Sequence, residues 1–537
     1  MNSVCAMKRT FKTKHILLSL MAVQILVLVS IGSGVLQLLF SLVSYCEDHK
    51  QPLRSTWNTP STNIRHVTQF NNTRPHIIFI LADDLGYRDV GYHGSRIRTP
   101  NIDRLAMSGI RLENYYTQAV CSPTRGQLLT GRYQIHTGFQ WVLWPASPRG
   151  LSLGETTIAE KLRETGYATH IVGKWHLGYF KNNYLPTNRG FDSFFGFLAG
   201  HGDHYTHRAT FNKMEGYDLM ENDKRADMSK YNGTYSTTLF TNKVKQIIQK
   251  HNPEKPLFIY LPYQAVHGPL QVPDKYIRMY KNPFVNETRE TYAGMVTCMD
   301  QGIGQIVKSL KKKGMWNNTL LIFSSDNGGK YEAGASNFPL RGEKCDMWEG
   351  GIRVPGFVHS ELINKEMAGT VSNELMHVTD WFPTLLRAAG GTINGTKPLD
   401  GYDQWETLMY GKPGPRTEIL HDILPLNKRR IDTLYDNVLN STFRASIRIG
   451  DWKLMKGHPG STTPRRPDRN FTTNVWLYNI ANDPEETTEL SDLYPEKVQT
   501  MLQRIEYYRK GMVPCPYIRA DRRADPRRRR GFWEPWL

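Results

Sequence analysis

The chain predicts an α/β fold, a large layered domain followed by a smaller α+β domain. Three observations carry this. Short all-apolar runs alternate with amphipathic runs from Pro75 onward, polar clusters fall at the ends of those apolar runs, and near residue 411 the texture changes to short alternating segments. Strands apolar on every residue are buried on both faces, as in a sheet covered by helices. At 537 residues the chain exceeds one small core and suits a large domain with an appendage.

In chain order, Lys8, Arg9, Lys12 and Lys14 precede an uncharged run from Ile16 to Cys46, long enough to span a bilayer. Residues 1–50 therefore predict entry into the secretory pathway, as a cleaved signal peptide or as an uncleaved type II anchor with the body in the lumen. Gly32 and Gly34 offer a cleavage spacing, while the apolar run continues to Val43, and both alternatives stand. Residues 51–73 are polar, rich in Asn, Thr and Pro, and read as a tether.

The folded part alternates strands, expected at 76–82, 168–172, 256–262 and 320–325, with helices at 99–108, 157–165, 240–250, 292–312 and 380–389. These place the large layered domain at 74–411. Gly390, Gly391, Gly395 and the 411–415 loop then break the pattern, and 445–449 with 452–455 around Gly450-Asp451 reads as a hairpin before a last helix at 495–510. Residues 412–537 are expected to form the α+β subdomain with its basic tail.

Against 50 Asp and Glu stand 68 Lys and Arg, a formal charge of +18, and Arg519, Arg522, Arg523 and Arg527 to Arg530 crowd the C-terminus. Such a surface attracts polyanions, nucleic acid and sulfated polysaccharide alike. A lumenal destination argues against nucleic acid and keeps the polysaccharide. Sequons at Asn71, Asn232, Asn286, Asn317, Asn394, Asn440 and Asn470 agree with that destination. Six cysteines do not make a disulfide scaffold; Cys5 and Cys46 lie in or beside the leader, and Cys121, Cys298, Cys345 and Cys515 have no zinc spacing.

Ligands of an open α/β sheet bind beyond the carboxyl ends of its strands. Asp83-Asp84 follows the first strand, and Asp326-Asn327-Gly328-Gly329 follows the strand from Leu320. Oxygen donors from two strand ends make a hard site suited to Ca²⁺ or Mg²⁺ and not to zinc; singly, either cluster is an ordinary strand-ending turn. Gly173-Lys174-Trp175-His176-Leu177-Gly178 and His267, in Ala265-Val-His-Gly-Pro-Leu270, add a fixed cation and titratable rings, which suit a tetrahedral anion and proton transfer to a leaving oxygen. Cys121-Ser-Pro-Thr-Arg125 completes the set; alone, it fits a small buried cysteine before a proline turn.

In this order, Phe79-Ile-Leu-Ala-Asp-Asp84, the Cys121 motif, the Lys174 and His267 motifs, Ser324-Ser-Asp-Asn-Gly-Gly329, and Pro339-Leu-Arg-Gly-Glu-Lys344 with Trp348-Glu-Gly-Gly-Ile-Arg353 resemble the sulfatase family. The likeness is to the arylsulfatase B, I and J branch and runs from about Pro75 to Trp536. It implies an alkaline-phosphatase-like large domain with a central mixed sheet between helices, a smaller α+β domain with an antiparallel sheet, and sulfuric ester hydrolysis. It implies that the formylglycine-generating enzyme oxidises Cys121 to Cα-formylglycine (3-oxoalanine), and that Asp83, Asp84, Asp326, Asn327 and the modified Cys121 hold one Ca²⁺. Arg125 and His176 would support the hydrated aldehyde, Lys174 and Lys344 the sulfate, and His267 would protonate the leaving alcohol. One hydrate oxygen would attack sulfur, and the second hydroxyl would then expel sulfate without water attacking sulfur again.

The implied substrate is a sulfated glycosaminoglycan or other sulfate ester, foremost N-acetylgalactosamine 4-sulfate ends of chondroitin or dermatan sulfate. The implied location is lysosomal or secreted, with any membrane attachment confined to the N-terminal anchor. The chain departs from the family pattern in Thr124, where serine is usual, in cysteines missing between Trp141 and Leu153, and in a thiol, Cys345, beside Lys344. His201, His204 and His207 recur every third residue, as a substrate-side loop or a transition-metal site. Two other functions stay in view: a phosphohydrolase of the same superfamily, which needs a Ser or Thr nucleophile and usually a second metal site, and a glycan-binding protein in which Cys121 stays a thiol.

Overall fold

His76–Ala82 is buried along its whole length and lies within a ten-stranded sheet. The computed structural model describes residues 74–281, 284, 286–425, 443–457, 459–460, 475–515 and 518–537; the predicted leader and tether, and the sequons at Asn71, Asn440 and Asn470, lie outside them. The sheet order is Val371–Ser372, Ile110–Leu112, Gly356–His359, Thr319–Ser325, His76–Ala82, Leu257–Pro262, Ala168–Lys174, Ser193–Phe197, Met220–Glu221 and Lys224–Arg225. Its five central strands, Thr319–Ser325 to Ser193–Phe197, run parallel, and the strands beside them turn antiparallel, so the sheet is mixed.

Side chains of a strand alternate between faces. Ile77, Phe79 and Leu81 enter one core, closed by helices Cys121–Thr130, Ile158–Glu164 and Trp381–Ala388. Ile78, Ile80 and Ala82 enter the other, under Pro100–Ser108, Ser236–Lys250 and Glu287–Lys312. The sequence pattern misses the first turns of two helices: the long one begins at Glu287, not Tyr292, and another at Ser236, not Phe240. Those turns are polar, and in the first of them the Asn286 side chain caps the helix by accepting the Thr288 N–H at 2.7 Å.

A separate four-stranded antiparallel sheet, Glu418–Pro425, Phe443–Ile449, Trp452–Lys456 and Val475–Asn479, contains the expected hairpin as its middle pair. Helix Pro495–Lys510 covers one face, where Met501 and Ile505 pack with Leu420, Ile447, Leu454, Tyr133 and Ile135. A buried ion network also ties this sheet to the large domain, since Lys453 reaches Glu349 at 2.9 Å and Glu486 at 2.8 Å. The basic C-terminus returns to the large domain: Trp533 and Trp536 join its core, the Trp533 indole donates to the Ala209 carbonyl at 3.0 Å, and Arg225 pairs with Glu534 at 2.7 Å. Asn232, Asn286, Asn317 and Asn394 are exposed, and no described helix is long and apolar enough to cross a membrane.

Candidate active site

The four strand ends singled out from the sequence meet on one edge of the sheet. Asp83 and Asp84 continue His76–Ala82, and Asp84 turns at φ 61°, a left-handed conformation unusual for a residue with a Cβ. Lys174 ends its strand beside Gly173, which has φ 127° and lies so near the next strand that a Cβ there would stand 2.0 Å from the Pro262 carbonyl oxygen. Only glycine permits that approach. His176 follows at φ 57°. Cys121 opens a fully buried ten-residue helix, with Pro123 in the first turn, where a missing N–H breaks no helical hydrogen bond. The segment that fits a proline turn in the sequence is therefore a helix start.

Around Cys121 the charges interlock. Lys344 Nζ lies 3.4 Å from Cys121 Sγ and donates to both Asp84 oxygens at 2.6 and 2.8 Å. Cys121 Sγ is 3.5 Å from Asp83 Oδ1. Lys174 Nζ donates to Asp83 Oδ2 at 2.7 Å, and the Arg125 guanidinium donates to Asp326 Oδ2 at 2.6 Å. His267 Nε2 stands 3.6 Å from Asp84 Oδ2. Thr124 has a structural place: its hydroxyl donates to the Asp326 carbonyl at 2.6 Å and accepts the Gln118 N–H at 2.9 Å.

Burial raises the cost of every charge here, and neighbours decide the outcome. Burial opposes ionisation of Asp84, yet Lys344 and His267 hold its carboxyl well below the usual range. Burial, with the nearby Asp326 carboxylate, pushes the Cys121 thiol far up, so the unmodified side chain is a poor thiolate nucleophile. His267 is pushed down to about 3 by burial and by Lys344. Its Nδ1 lies 2.8 Å from the Gly268 carbonyl, which only accepts, so the neutral ring carries its proton on Nδ1. His176 is held neutral by burial and Lys174; its Nε2 donates to the Leu143 carbonyl at 3.0 Å, leaving a buried Nδ1 lone pair without a partner among the described residues.

Asp83, Asp84, Cys121 and His267 each place a ligand atom within 4.8 Å of the others. Asn327 belongs beside them: its Nδ2 donates to Asp84 Oδ1 at 2.8 Å, while its buried Oδ1 has no hydrogen-bond partner among the described residues. An acceptor oxygen left open among carboxylates fits a hard cation. Asp326 is turned toward Arg125 and the Asp84 N–H, the latter at 3.2 Å from its Oδ1. His201, His204 and His207 do not converge: His201 stacks on His267 with ring centroids 5.9 Å apart, His204 Nε2 donates to the His267 carbonyl, and His207 Nε2 to the Tyr231 carbonyl. Sequence reasoning missed the Leu143 carbonyl and the Ser122 hydroxyl, which donates to the His176 carbonyl at 3.0 Å. A backbone oxygen leaves no mark in a residue pattern.

A family model described as Sulfatase matches residues 75–391. The chain belongs to the sulfatase family. Mouse arylsulfatase J is 46% identical over 485 residues, 86% of this chain and 80% of that protein. Human N-acetylgalactosamine-6-sulfatase is 29% identical over 479 residues, 82% of this chain and 87% of its own. Among solved structures, Ps i-CgsB in complex with k-i-k-neocarrahexaose superposes with a TM-score of 0.71 at 30% identity, over 84% of this chain and 96% of that one. The sulfatase is thus a sulfuric ester hydrolase, and its Asp, Cys and His cluster sits at the sheet edge where ligands of such folds bind.

Proposed function

We propose that this sulfatase uses formylglycine, made from Cys121, and one Ca²⁺ to release sulfate from a sulfated sugar, N-acetylgalactosamine 4-sulfate at the ends of chondroitin or dermatan sulfate. One observation carries the reading: Cys121 Sγ lies between Lys344, at 3.4 Å, and the carboxylates of Asp83 and Asp84, at 3.5 and 4.0 Å. Asp83, Asp84, Asp326 and Asn327 would hold the cation with the modified residue 121. When present, the hydrated aldehyde supplies a nucleophilic oxygen and the cation neutralises sulfate charge.

The chain's own residues do the rest. Lys174 and Lys344 bring ammonium groups to the equatorial oxygens of the ester, where charge must be offset before a nucleophile can approach. Arg125 fixes Asp326 at the helix start. His176 Nδ1, a lone pair without a partner among the described residues, is the acceptor for a hydroxyl proton at residue 121. His267 donates from Nε2 only as imidazolium, because Nδ1 already holds its neutral-state proton. Burial and the Lys344 ammonium both keep this ring neutral; a sulfate anion beside Lys344 offsets the second of these and so shifts the ring toward the acid form.

The relative named N-acetylgalactosamine-6-sulfatase and the structure in complex with k-i-k-neocarrahexaose support a sulfated sugar as substrate. The leader supports maturation by the formylglycine-generating enzyme in the secretory pathway, and a lysosomal, secreted or N-terminally anchored product. Mass analysis of the residue 121 peptide tests the reading, together with hydrolysis of an aryl sulfate against an aryl phosphate. The aldehyde mass and sulfate-selective turnover are expected. A thiol throughout secreted protein would leave a glycan binder, and preference for the phosphate would make it a phosphohydrolase.

A further inference from the structure

We propose that Arg444 is a specificity-determining residue: its guanidinium binds a second anionic group, a carboxylate or another sulfate, on the glycan whose sulfate ester enters the Cys121 cleft. The inference rests on the sulfatase reading above and names what that site selects. Arg444 lies on Phe443–Ile449 of the small antiparallel sheet, yet its head reaches the large domain's site. Nη1 approaches the carbonyl oxygen of Cys345 at 3.5 Å, and Cys345 adjoins Lys344, the ammonium on Cys121. The guanidinium carbon also stands 5.8 Å from the centroid of the Trp141 ring. Trp141 belongs to a segment pinned to the site, since the Leu143 N–H donates to Ser122 Oγ at 3.2 Å and the Leu143 carbonyl accepts from His176.

A purely structural arginine uses its donors at short range. Arg416 donates to Asp380 Oδ2 at 2.8 Å, Arg353 to the Glu113 carbonyl at 2.6 Å and Arg448 to the Gly450 carbonyl at 2.9 Å. Arg444 does not. Its contacts to Asp422 and to the Cys345 carbonyl are both 3.5 Å, the outer limit for a hydrogen bond, and its buried Nε has no hydrogen-bond partner among the described residues. A guanidinium carries five N–H donors in a planar fork that matches carboxylate or sulfate oxygens two at a time. Asp422 and Trp141 hold the fork in place without saturating it, and 14% of the side chain remains exposed. A preorganised, underused cation at the rim selects substrates with two negative charges over those with one.

The test compares kcat/KM of full-length protein on three probes: an aryl sulfate, a sulfated N-acetylgalactosamine linked to a uronate, and a disulfated N-acetylgalactosamine. Arg444→Gln is expected to lower kcat/KM about 10- to 100-fold, mainly through KM, on whichever doubly charged probe carries the recognised group, and to leave the aryl sulfate within about twofold. Arg444→Lys should restore part of the loss. The uronate and disulfate arms identify the carboxylate or the second sulfate. Equal losses on all three probes would make Arg444 structural and overturn the proposal, as would no loss on either glycan. Should wild-type protein carry the aldehyde at residue 121 yet cleave no sulfate ester, the sulfatase reading fails instead. Calorimetry of the two glycans with Cys121→Ser protein then decides on Arg444, which is upheld only if Arg444→Gln weakens binding of at least one.

Discussion

At Thr124 one hydroxyl satisfies two buried backbone groups, the Asp326 carbonyl and the Gln118 N–H. Thr124→Ala strands both in a dry site, and each unsatisfied group costs about 1–3 kcal/mol. Thr124→Ala should therefore lower stability by about 2–4 kcal/mol in chemical denaturation, whereas Thr124→Ser should stay near wild type; equal losses in both would assign the effect to the methyl group. Asp218 gives a pH signature. Burial pushes its carboxyl up to about 6, against the pull of the Leu198 and Ala199 N–H groups at 2.8 Å. Between the unfolded value near 4 and about 6 the folded chain holds the proton and the unfolded chain has released it, so this residue's contribution falls as pH rises through that window. Melting of wild type and Asp218→Asn from pH 4 to 7 checks it: the wild-type curve should fall relative to the variant by up to about 3 kcal/mol, and parallel curves would refute it.

Among the elements, the small sheet is held to the large domain by Lys453, fully buried between Glu349 and Glu486. Burial and the Glu349 carboxylate push Glu486 up to about 7 despite Lys453, the strain expected where two acids share one base. Lys453→Met removes the ammonium that the two acids share, a loss of about 3–5 kcal/mol. The denaturation midpoint should fall accordingly, and a change under about 1 kcal/mol would show that the network contributes little. None of this was legible in the sequence, where Lys453 is one lysine of a hairpin and Glu349 one letter of a motif. The strands His76–Ala82 and Thr319–Ser325 were legible, because burial on both faces forces continuous apolar runs. Ser193–Phe197 and Gly356–His359 were not, since each is short and contains a glycine, and neither was the helix from Cys121, whose motif letters hide its periodicity.

Across the whole molecule, the site residues converge because all but Lys344, which a turn supplies, follow a strand end or lie on the helix from Cys121 at the same edge, which is why unrelated stretches of sequence pointed to one place. What stayed hidden was the charge balance. Asp83, Asp84 and Asp326 are matched by Lys174, Lys344 and Arg125, so the described site is near neutral before any cation arrives. A divalent cation therefore leaves an excess of about two positive charges, and an anionic sulfate restores balance. Cation and sulfate should bind with reciprocal coupling, each tightening the other by the same factor. Calorimetry of the purified protein should show inorganic sulfate binding at least about fivefold tighter with saturating Ca²⁺ than after chelation. Saturating Ca²⁺ at 100 times its Kd should also add about 2.7 kcal/mol of stability. Asn327→Ala removes the oxygen left open for the ion, and in that variant both effects should shrink together. Sulfate affinity that ignores Ca²⁺, or coupling that survives Asn327→Ala unchanged, would mean that the lysines alone hold the anion and that the cation sits elsewhere.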